Sequence, residues 1–174
     1  MRRGILIVDF GSQYTQLIAR RIREIQVYCA IYPFNKINSK LIKDIDPSGI
    51  ILSGGPSSVL SRGRPEIPKK LLIMGVPVLG ICYGLQAMCS QLGGKVTHTD
   101  HREFGRASIQ VKEKSLLFED VWEVEETDEV WMSHGDRVDT LPKGFRVLAE
   151  SSVTPFAVVG DDERRFYGVQ FHPE

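Results

Sequence analysis

Apolar residues in the first half of the chain form short runs rich in β-branched side chains, separated by segments with helical spacing. The runs with the near-continuous apolar character of buried strands are 4–10, 27–32, 49–56 and 76–80. Apolar positions recur at helical spacing over 17–26, 68–74 and 85–92. This alternation predicts an α/β fold of three layers, in which a mostly parallel central sheet carries helices on both faces.

From Lys95 onward, the pattern changes to short strands broken by turn residues. These segments are 95–98, 107–112, 129–132, 145–151, 155–160 and 164–171. Residues 160–163 (GDDE) predict a hairpin turn between the last two strands. We therefore expect an antiparallel or mixed second half that extends the parallel core, so that residues 1–174 form one domain.

Charge and cysteine usage exclude several classes of function. Lysine plus arginine and aspartate plus glutamate both number 22, and the chain has no basic block of the kind that binds a phosphate backbone, so we expect no nucleic-acid partner. Three cysteines without metal-ligand spacing favour a reducing, cytoplasmic compartment and no metal site. The apolar run after Arg3 extends for about five residues, too few for a signal peptide or a membrane span.

Residues 80–84 (GICYG) have the form of a strand-to-helix elbow with Cys82 in the position of the nucleophile. Flanking glycines permit the sharp turn, and the helix N-terminus favours a thiolate and offers N–H donors to an oxyanion. A small buried residue that closes a tight turn is the alternative, because free cysteine is often buried. Cys89, two turns further along the same helix, and Cys29, in a strand, are expected to pack in the core.

A carboxylate residue, Glu174, follows His172 two positions later in the sequence. Side chains at i and i+2 of an extended segment point to the same side, and Pro173 fixes the backbone between them. Glu174 can therefore orient the imidazole and stabilise its cationic form, as the third member of a nucleophilic triad does. By spacing alone, the pair could equally be part of the surface.

The other three histidines have different settings. His98 and His101 lie in a polar connection, where exposure to solvent is expected. His134 lies in residues 132–136 (MSHGD), a turn-like stretch suited to lining a pocket.

Together, these motifs resemble the class I, or triad, glutamine amidotransferases. The matching segments are residues 80–86, the SGGP turn at 53–56 and the HPE motif at 172–174, and they occur in the family's order over nearly the whole chain. Within the family, the stretches most similar to the amidotransferase domains of GMP synthetases are 9–14, 53–59, 102–105 and 131–136. The resemblance implies a flavodoxin-like core and the hydrolysis of glutamine to glutamate and ammonia.

The resemblance also implies roles for individual residues. Cys82 would attack the side-chain amide of glutamine, His172 would protonate ammonia and then activate water, and Glu174 would orient His172. Backbone N–H groups of Gly54 and Tyr83 would form the oxyanion hole. The residues implied to contact the amino-acid end of the substrate are Gln86, Ser133 and His134. For Gln86, simple solvent exposure is the alternative.

In this subfamily, the ammonia passes to an ATP-pyrophosphatase domain that aminates XMP to GMP. No pyrophosphate loop and no P-loop occur in residues 1–174, so ATP and Mg²⁺ are implied for that partner and no cofactor for this domain. Relatives normally continue beyond the HPE motif, so a further C-terminal segment is expected after Glu174. The alternatives are the amidotransferase component of anthranilate, CTP or carbamoyl-phosphate synthesis, and a non-catalytic glutamine sensor. The 9–14 and 131–136 stretches oppose the first, and the intact set of Cys82, His172 and Glu174 opposes the second, because a sensor needs no activated thiol.

Overall fold

A single mixed sheet of nine strands organises the chain in the computed structural model, which describes residues 3–174 apart from the side chain of His101. The expectation of an exposed His101 therefore lies outside the described residues. The strands are β1 (Ile5–Asp9), β2 (Cys29–Pro33), β3 (Gly49–Leu52), β4 (Val78–Ile81), β5 (Lys95–Val111), β6 (Thr127–Thr140), β7 (Arg146–Ser151), β8 (Val158–Asp161) and β9 (Phe166–Val169). The α-helices are α1 (Thr15–Glu24), α2 (Ser39–Ile45) and α3 (Tyr83–Gln91).

The strand order is β2-β1-β3-β4-β9-β8-β7-β5-β6. The pairs from β2 through β1, β3 and β4 to β9 are parallel, and the pairs from β9 onward are antiparallel. The last strand of the chain thus lies inside the sheet, between the parallel half and the antiparallel half. Both the parallel core and the mixed second half are confirmed.

Helices cover both faces of the parallel half, because alternate strand residues point to opposite sides. On one face, Leu6, Val8 and Leu52 pack with α2 and α3, and on the other face Ile7 packs with Ile18 of α1. The three-layer arrangement is confirmed. Within residues 3–174, no helix combines the length and the apolar character needed to cross a bilayer.

Several elements differ from their predicted form. Helix α2 was not predicted; it begins at Ser39, and the side chain of the preceding N-cap residue, Asn38, accepts a hydrogen bond from the Leu41 N–H at 3.0 Å. The predicted helix at 68–74 is only a 3₁₀ turn, Lys69–Leu72, confined between Pro68 and a glycine with positive φ at residue 75. Segments 95–98 and 107–112 belong to one strand, β5.

The stretch at 132–136 is not the expected turn, because it lies inside β6 and pairs with β5. A register shift in β5 between His98 and Glu103 accommodates it. The hairpin predicted at 160–163 lies slightly later, between the end of β8 at Asp161 and the start of β9 at Phe166.

Candidate active site

Cys82 lies between the end of β4 and the start of α3, in a backbone conformation of positive φ (φ 50°, ψ −105°). A non-glycine residue in such a conformation is strained by about 1–3 kcal/mol and persists only where its surroundings fix it. The Cys82 N–H donates to the Val169 carbonyl at 2.8 Å, and the Cys82 carbonyl accepts from the Gln86 N–H at 3.1 Å. β9 and α3 therefore hold the elbow from both sides.

The flanking glycines permit this close packing. A Cβ atom at Gly84 would overlap the Leu52 carbonyl of β3, and one at Gly80 would lie 2.6 Å from the Leu85 nitrogen. Any larger residue would push α3 away from the sheet.

His172 and Glu174 meet Cys82 at this edge of the sheet. His172 Nδ1 lies 2.9 Å from Glu174 Oε1, and the two side chains are 11% and 3% exposed. The backbone N–H of His172 donates to the Trp131 carbonyl at 2.9 Å. The imidazole packs edge-on against Tyr14, with ring centroids 5.3 Å apart. These contacts fix the ring, and its other nitrogen is left for Cys82.

The electrostatic setting of His172 favours its charged form. Burial alone would lower the pKa of the imidazole, but hydrogen bonds with Cys82 and Glu174 raise the pKa to about 10. Both partners stabilise the imidazolium when they are anionic. A cationic His172 next to Cys82 matches the resting state of a thiolate nucleophile.

Gly54 and Tyr83, the residues predicted to form the oxyanion hole, both lie next to Cys82. A Cβ atom on Gly54 would lie 3.8 Å from the Cβ of Cys82 and 3.2 Å from Cε1 of His172, so the glycine turn contacts both side chains. Tyr83 is the first residue of α3, and N–H groups in the first turn of a helix have no partner within it. Both residues are therefore neighbours of Cys82, and their backbone N–H groups remain the predicted oxyanion donors.

Two cavities meet at Cys82. The larger has a volume of about 640 Å³ and includes all three residues predicted to contact the substrate, Gln86, Ser133 and His134. The smaller, of about 380 Å³, lies on the His172 side and is lined by Tyr14 and residues 11–13. Cys82 thus faces both cavities, although its side chain is otherwise buried.

The three predicted substrate contacts differ in what they offer a ligand. Gln86 is only 4% exposed, so simple solvent exposure is wrong for this residue. The Ser133 carbonyl accepts from Cys82 Sγ at 3.6 Å. The ring of His134 is already engaged, with Nδ1 3.1 Å from the Asp136 carbonyl and Nε2 3.4 Å from Glu103 Oε2.

Burial, the largest effect, lowers the pKa of His134 although the Asp136 carbonyl and Glu103 oppose it. His98 is exposed to solvent, as expected. Its ring is half-exposed but pairs with Asp136 through a 2.9 Å contact between Nδ1 and Oδ1.

Two residues at the site were not singled out from the sequence. The first is Gln170, which is 1% exposed and donates from Nε2 to Cys82 Sγ at 3.5 Å. The alternation that pairs His172 with Glu174 also applies to residue 170 and could have identified it. The second is Asp136, whose carboxylate accepts from Ser58 and contacts His98 on the wall of the larger cavity. It carried no signal, because the turn predicted for residues 132–136 gave no orientation for its side chain.

Comparison with known proteins agrees with this geometry. The family model of glutamine amidotransferase class-I matches residues 6–174. The chain belongs to this family. The predicted resemblance is therefore confirmed, and the chain is an enzyme domain of the glutamine amidotransferase kind.

Curated relatives with high identity are named GMP synthase [glutamine-hydrolyzing]. The protein from Bradyrhizobium diazoefficiens is 55% identical over 170 residues, which are 98% of this chain and 31% of that protein. The one from Zymomonas mobilis is 57% identical over 172 residues, 98% of this chain and 32% of that protein. The chain thus spans about a third of the length of these relatives.

A solved structure supports the same fold. It is the crystal structure of a protein from Thermoplasma acidophilum that is provisionally named as one of the subunits of a GMP synthase. It matches with a TM-score of 0.78 and 30% identity, over 99% of this chain and 85% of that one.

Proposed function

We propose that this chain hydrolyses glutamine to glutamate and ammonia through a thioester on Cys82, and supplies the ammonia to a synthetase that converts XMP to GMP. The observation that carries the proposal is the meeting of Cys82, which lines a cavity of about 640 Å³, with His172 and Glu174. The names of the relatives support XMP amination as the use of the ammonia.

In the first half of the reaction, the Cys82 thiolate attacks the side-chain amide carbon of glutamine. The carbonyl oxygen becomes an oxyanion, and N–H groups of Gly54 and Tyr83 donate to it. The C–N bond then breaks as His172 gives its proton to the departing nitrogen. The products of this half are ammonia and a γ-glutamyl thioester.

Acylation itself prepares His172 for the second half. An acylated Cys82 carries no negative charge, so one of the two contacts that raise the pKa of His172 is lost and the pKa falls. The imidazole, neutral after giving up its proton, accepts one from water, and the resulting hydroxide attacks the thioester carbon. The C–S bond breaks, glutamate leaves, and Cys82 and His172 return to their charged forms.

The larger cavity offers groups of both signs for the amino-acid end of glutamine. Arg102 can bind the substrate carboxylate, and the Asp136 carboxylate can bind its ammonium group. Gln86 donates from Nε2 to the Asp136 carbonyl at 2.8 Å, so its side-chain oxygen is the atom that can accept from the ammonium group. Ser133 contributes its backbone, and His134 holds the cavity wall in place.

The partner would be an ATP-pyrophosphatase domain, on the same chain or on another, where ATP and Mg²⁺ drive the amination. All reaction steps proposed for this chain use side chains, backbone N–H groups and water, so we propose no cofactor for it. We also propose a cytoplasmic location, because the three cysteines are free thiols, as is usual in a reducing compartment.

The test measures glutamate release from glutamine by the native chain and by Cys82→Ala, each alone and with an XMP-aminating partner loaded with XMP and ATP. The matched control is Cys89→Ala, because Cys89 is a buried core thiol on the same helix whose pKa burial raises to about 12. We expect weak activity alone, stimulation by the loaded partner, no activity in Cys82→Ala and retained activity in the control. Activity in Cys82→Ala would refute the mechanism, and a lack of stimulation would refute the assignment to XMP amination.

A further inference from the structure

Gln170 places a fully buried carboxamide against the reacting sulfur atom. It follows β9 directly, and its N–H donates to the Ala157 carbonyl at 2.9 Å. Its side-chain Nε2 lies 3.5 Å from Cys82 Sγ. Burying an amide costs free energy unless its polar atoms are hydrogen-bonded. An apolar side chain would fill the same space at a lower cost, so the polar atoms of this amide are expected to have a role at the nucleophile.

The neighbouring hydrogen bonds fix which end of the Gln170 amide faces the sulfur. Gln86 lies 2.8 Å from the Asp136 carbonyl, which can only accept, so the atom of Gln86 at that position must be its nitrogen. The same nitrogen lies 3.3 Å from the Gln170 side chain, which must therefore present its oxygen there. The nitrogen of Gln170, with its N–H donor, is left facing Cys82.

Cys82 Sγ has contacts that favour opposite protonation states. The Ser133 carbonyl, 3.6 Å away, can only accept, so it stabilises the protonated thiol. The Gln170 N–H can only donate, so it stabilises the thiolate. The Gln170 donor therefore counteracts the Ser133 carbonyl, alongside the imidazolium of His172.

We propose that Gln170 is a further catalytic residue, which donates a hydrogen bond to the Cys82 thiolate, and that Gln86 is the positioning residue that orients the Gln170 amide. The proposal rests on the proposed function, in which this thiolate acts twice. It is the nucleophile that attacks the amide, and it is the leaving group when water cleaves the thioester. A donor held on the sulfur assists both steps without contacting glutamine.

The test is the pH dependence of Cys82 alkylation by iodoacetamide in the absence of glutamine, with the modified residue identified by mass spectrometry. This reaction follows the thiolate population directly and needs neither partner nor turnover. In Gln170→Met, which keeps the length and removes the donor, we expect the midpoint of the pH–rate profile to rise by about one unit, so that alkylation at pH values below the native midpoint slows about tenfold. The matched control is Gln110→Met, at a strand position that contacts Glu125, and it should leave the profile unchanged.

Two further variants separate a donor role from a packing role. Gln170→Glu is nearly isosteric but places a carboxylate on the sulfur, so its midpoint should rise further than that of Gln170→Met. Gln86→Met should give a smaller rise, because Gln170 keeps its donor and loses only its orientation. These variants also decide the question if Gln170→Met does not fold.

An unchanged midpoint in folded Gln170→Met or Gln170→Glu would overturn the catalytic role, and an unchanged midpoint in Gln86→Met would overturn the positioning role. Failure of the proposed function has a different signature. In that case the alkylation profiles would shift as described, but the native chain would release no glutamate with any partner.

Discussion

Replacing Glu174 by glutamine should slow turnover while leaving glutamine binding intact. Glu174 Oε1 is 2.9 Å from His172 Nδ1, and a glutamine side chain can present its carbonyl oxygen to the same N–H. The change therefore keeps the shape and the orienting contact but removes the negative charge. Oε2 of Glu174 is buried without a hydrogen-bond partner among the described residues, so His172 is the main polar partner of this carboxylate.

The expected magnitude follows from the kind of hydrogen bond that is lost. A hydrogen bond with a charged group contributes about 1.5–3 kcal/mol, and a neutral one about 1 kcal/mol. Losing the charge should therefore cost about 0.5–2 kcal/mol of stabilisation of the imidazolium, which corresponds to a drop in kcat of about two- to thirtyfold. KM should change little, because Glu174 does not line the larger cavity.

The assay is steady-state glutamate release by the chain with its synthetase partner, at several glutamine concentrations. Glu129→Gln is the matched control, because the Glu129 side chain is 71% exposed and lies on β6 away from the triad. A kcat for Glu174→Gln equal to that of the control would refute the orienting role of Glu174. A rise in KM at constant kcat would instead assign Glu174 to substrate binding, which contradicts the geometry.

Three other outcomes are expected. By NMR, His172 should lose its proton near pH 10 in the native chain, and at a lower pH in Cys82→Ala, because hydrogen bonds with Cys82 and Glu174 raise its pKa; an unshifted titration in the variant would exclude coupling to Cys82. His134 has a folded-state pKa below its unfolded value of about 6.5, since burial lowers it, so the unfolded state binds the extra proton first. Relative to His134→Asn, the free energy of unfolding of the native chain measured in urea should therefore fall between pH 7.5 and 5.5, because the opposite contribution of His172, whose pKa is raised, is present in both proteins; a constant difference would show that His134 titrates alike in both states. Finally, Gly84→Ala should lower the melting temperature and abolish glutamate release together, because its Cβ would overlap the Leu52 carbonyl and move the elbow; a stable, active variant would show that the close approach is unnecessary.

The elements that hydrophobic pattern alone could predict are those with a strong period. β1, β3 and β4 are continuous apolar runs because helices cover both of their faces, and α1 shows a clear apolar stripe. The short helix α2 was missed because its beginning depends on one local cap, the Asn38 side chain, rather than on a long periodic stretch. The segment at 68–74 has the composition of a helix, but the proline at its first position and the glycine that follows it leave room for only one turn.

The site residues that belong to short sequence motifs were predicted, and those whose position depends on the pairing of two strands were missed. The elbow around Cys82 and the spacing of His172 and Glu174 are short motifs with a physical cause, and the structure brings all three together. The engaged ring of His134 depends on Glu103, which reaches it through the irregular pairing of β5 with β6. No pattern in one strand reports such a register shift.

The register between β4 and β9 explains how Cys82 and His172, ninety positions apart in the sequence, come to lie side by side. Ile81 pairs with Val169, so Cys82 lies beside Gln170 one step further along. Side chains alternate along an extended strand, so Gln170 and His172 share a side, and a slip of one residue would turn both away from the sulfur.

The packing of α3 on β9 couples this register to the hydrophobic core. Leu85 occupies the space that a side chain at residue 168 would need, and a Cβ atom on Gly168 would overlap it. This close approach brings Gln86, the next residue of α3, within 3.3 Å of Gln170. The packing of Leu85 on Gly168 therefore also sets the orientation of the Gln170 amide next to Cys82. Enlarging Gly168 should consequently disturb the reactivity of Cys82, although residue 168 contacts neither the sulfur nor the larger cavity.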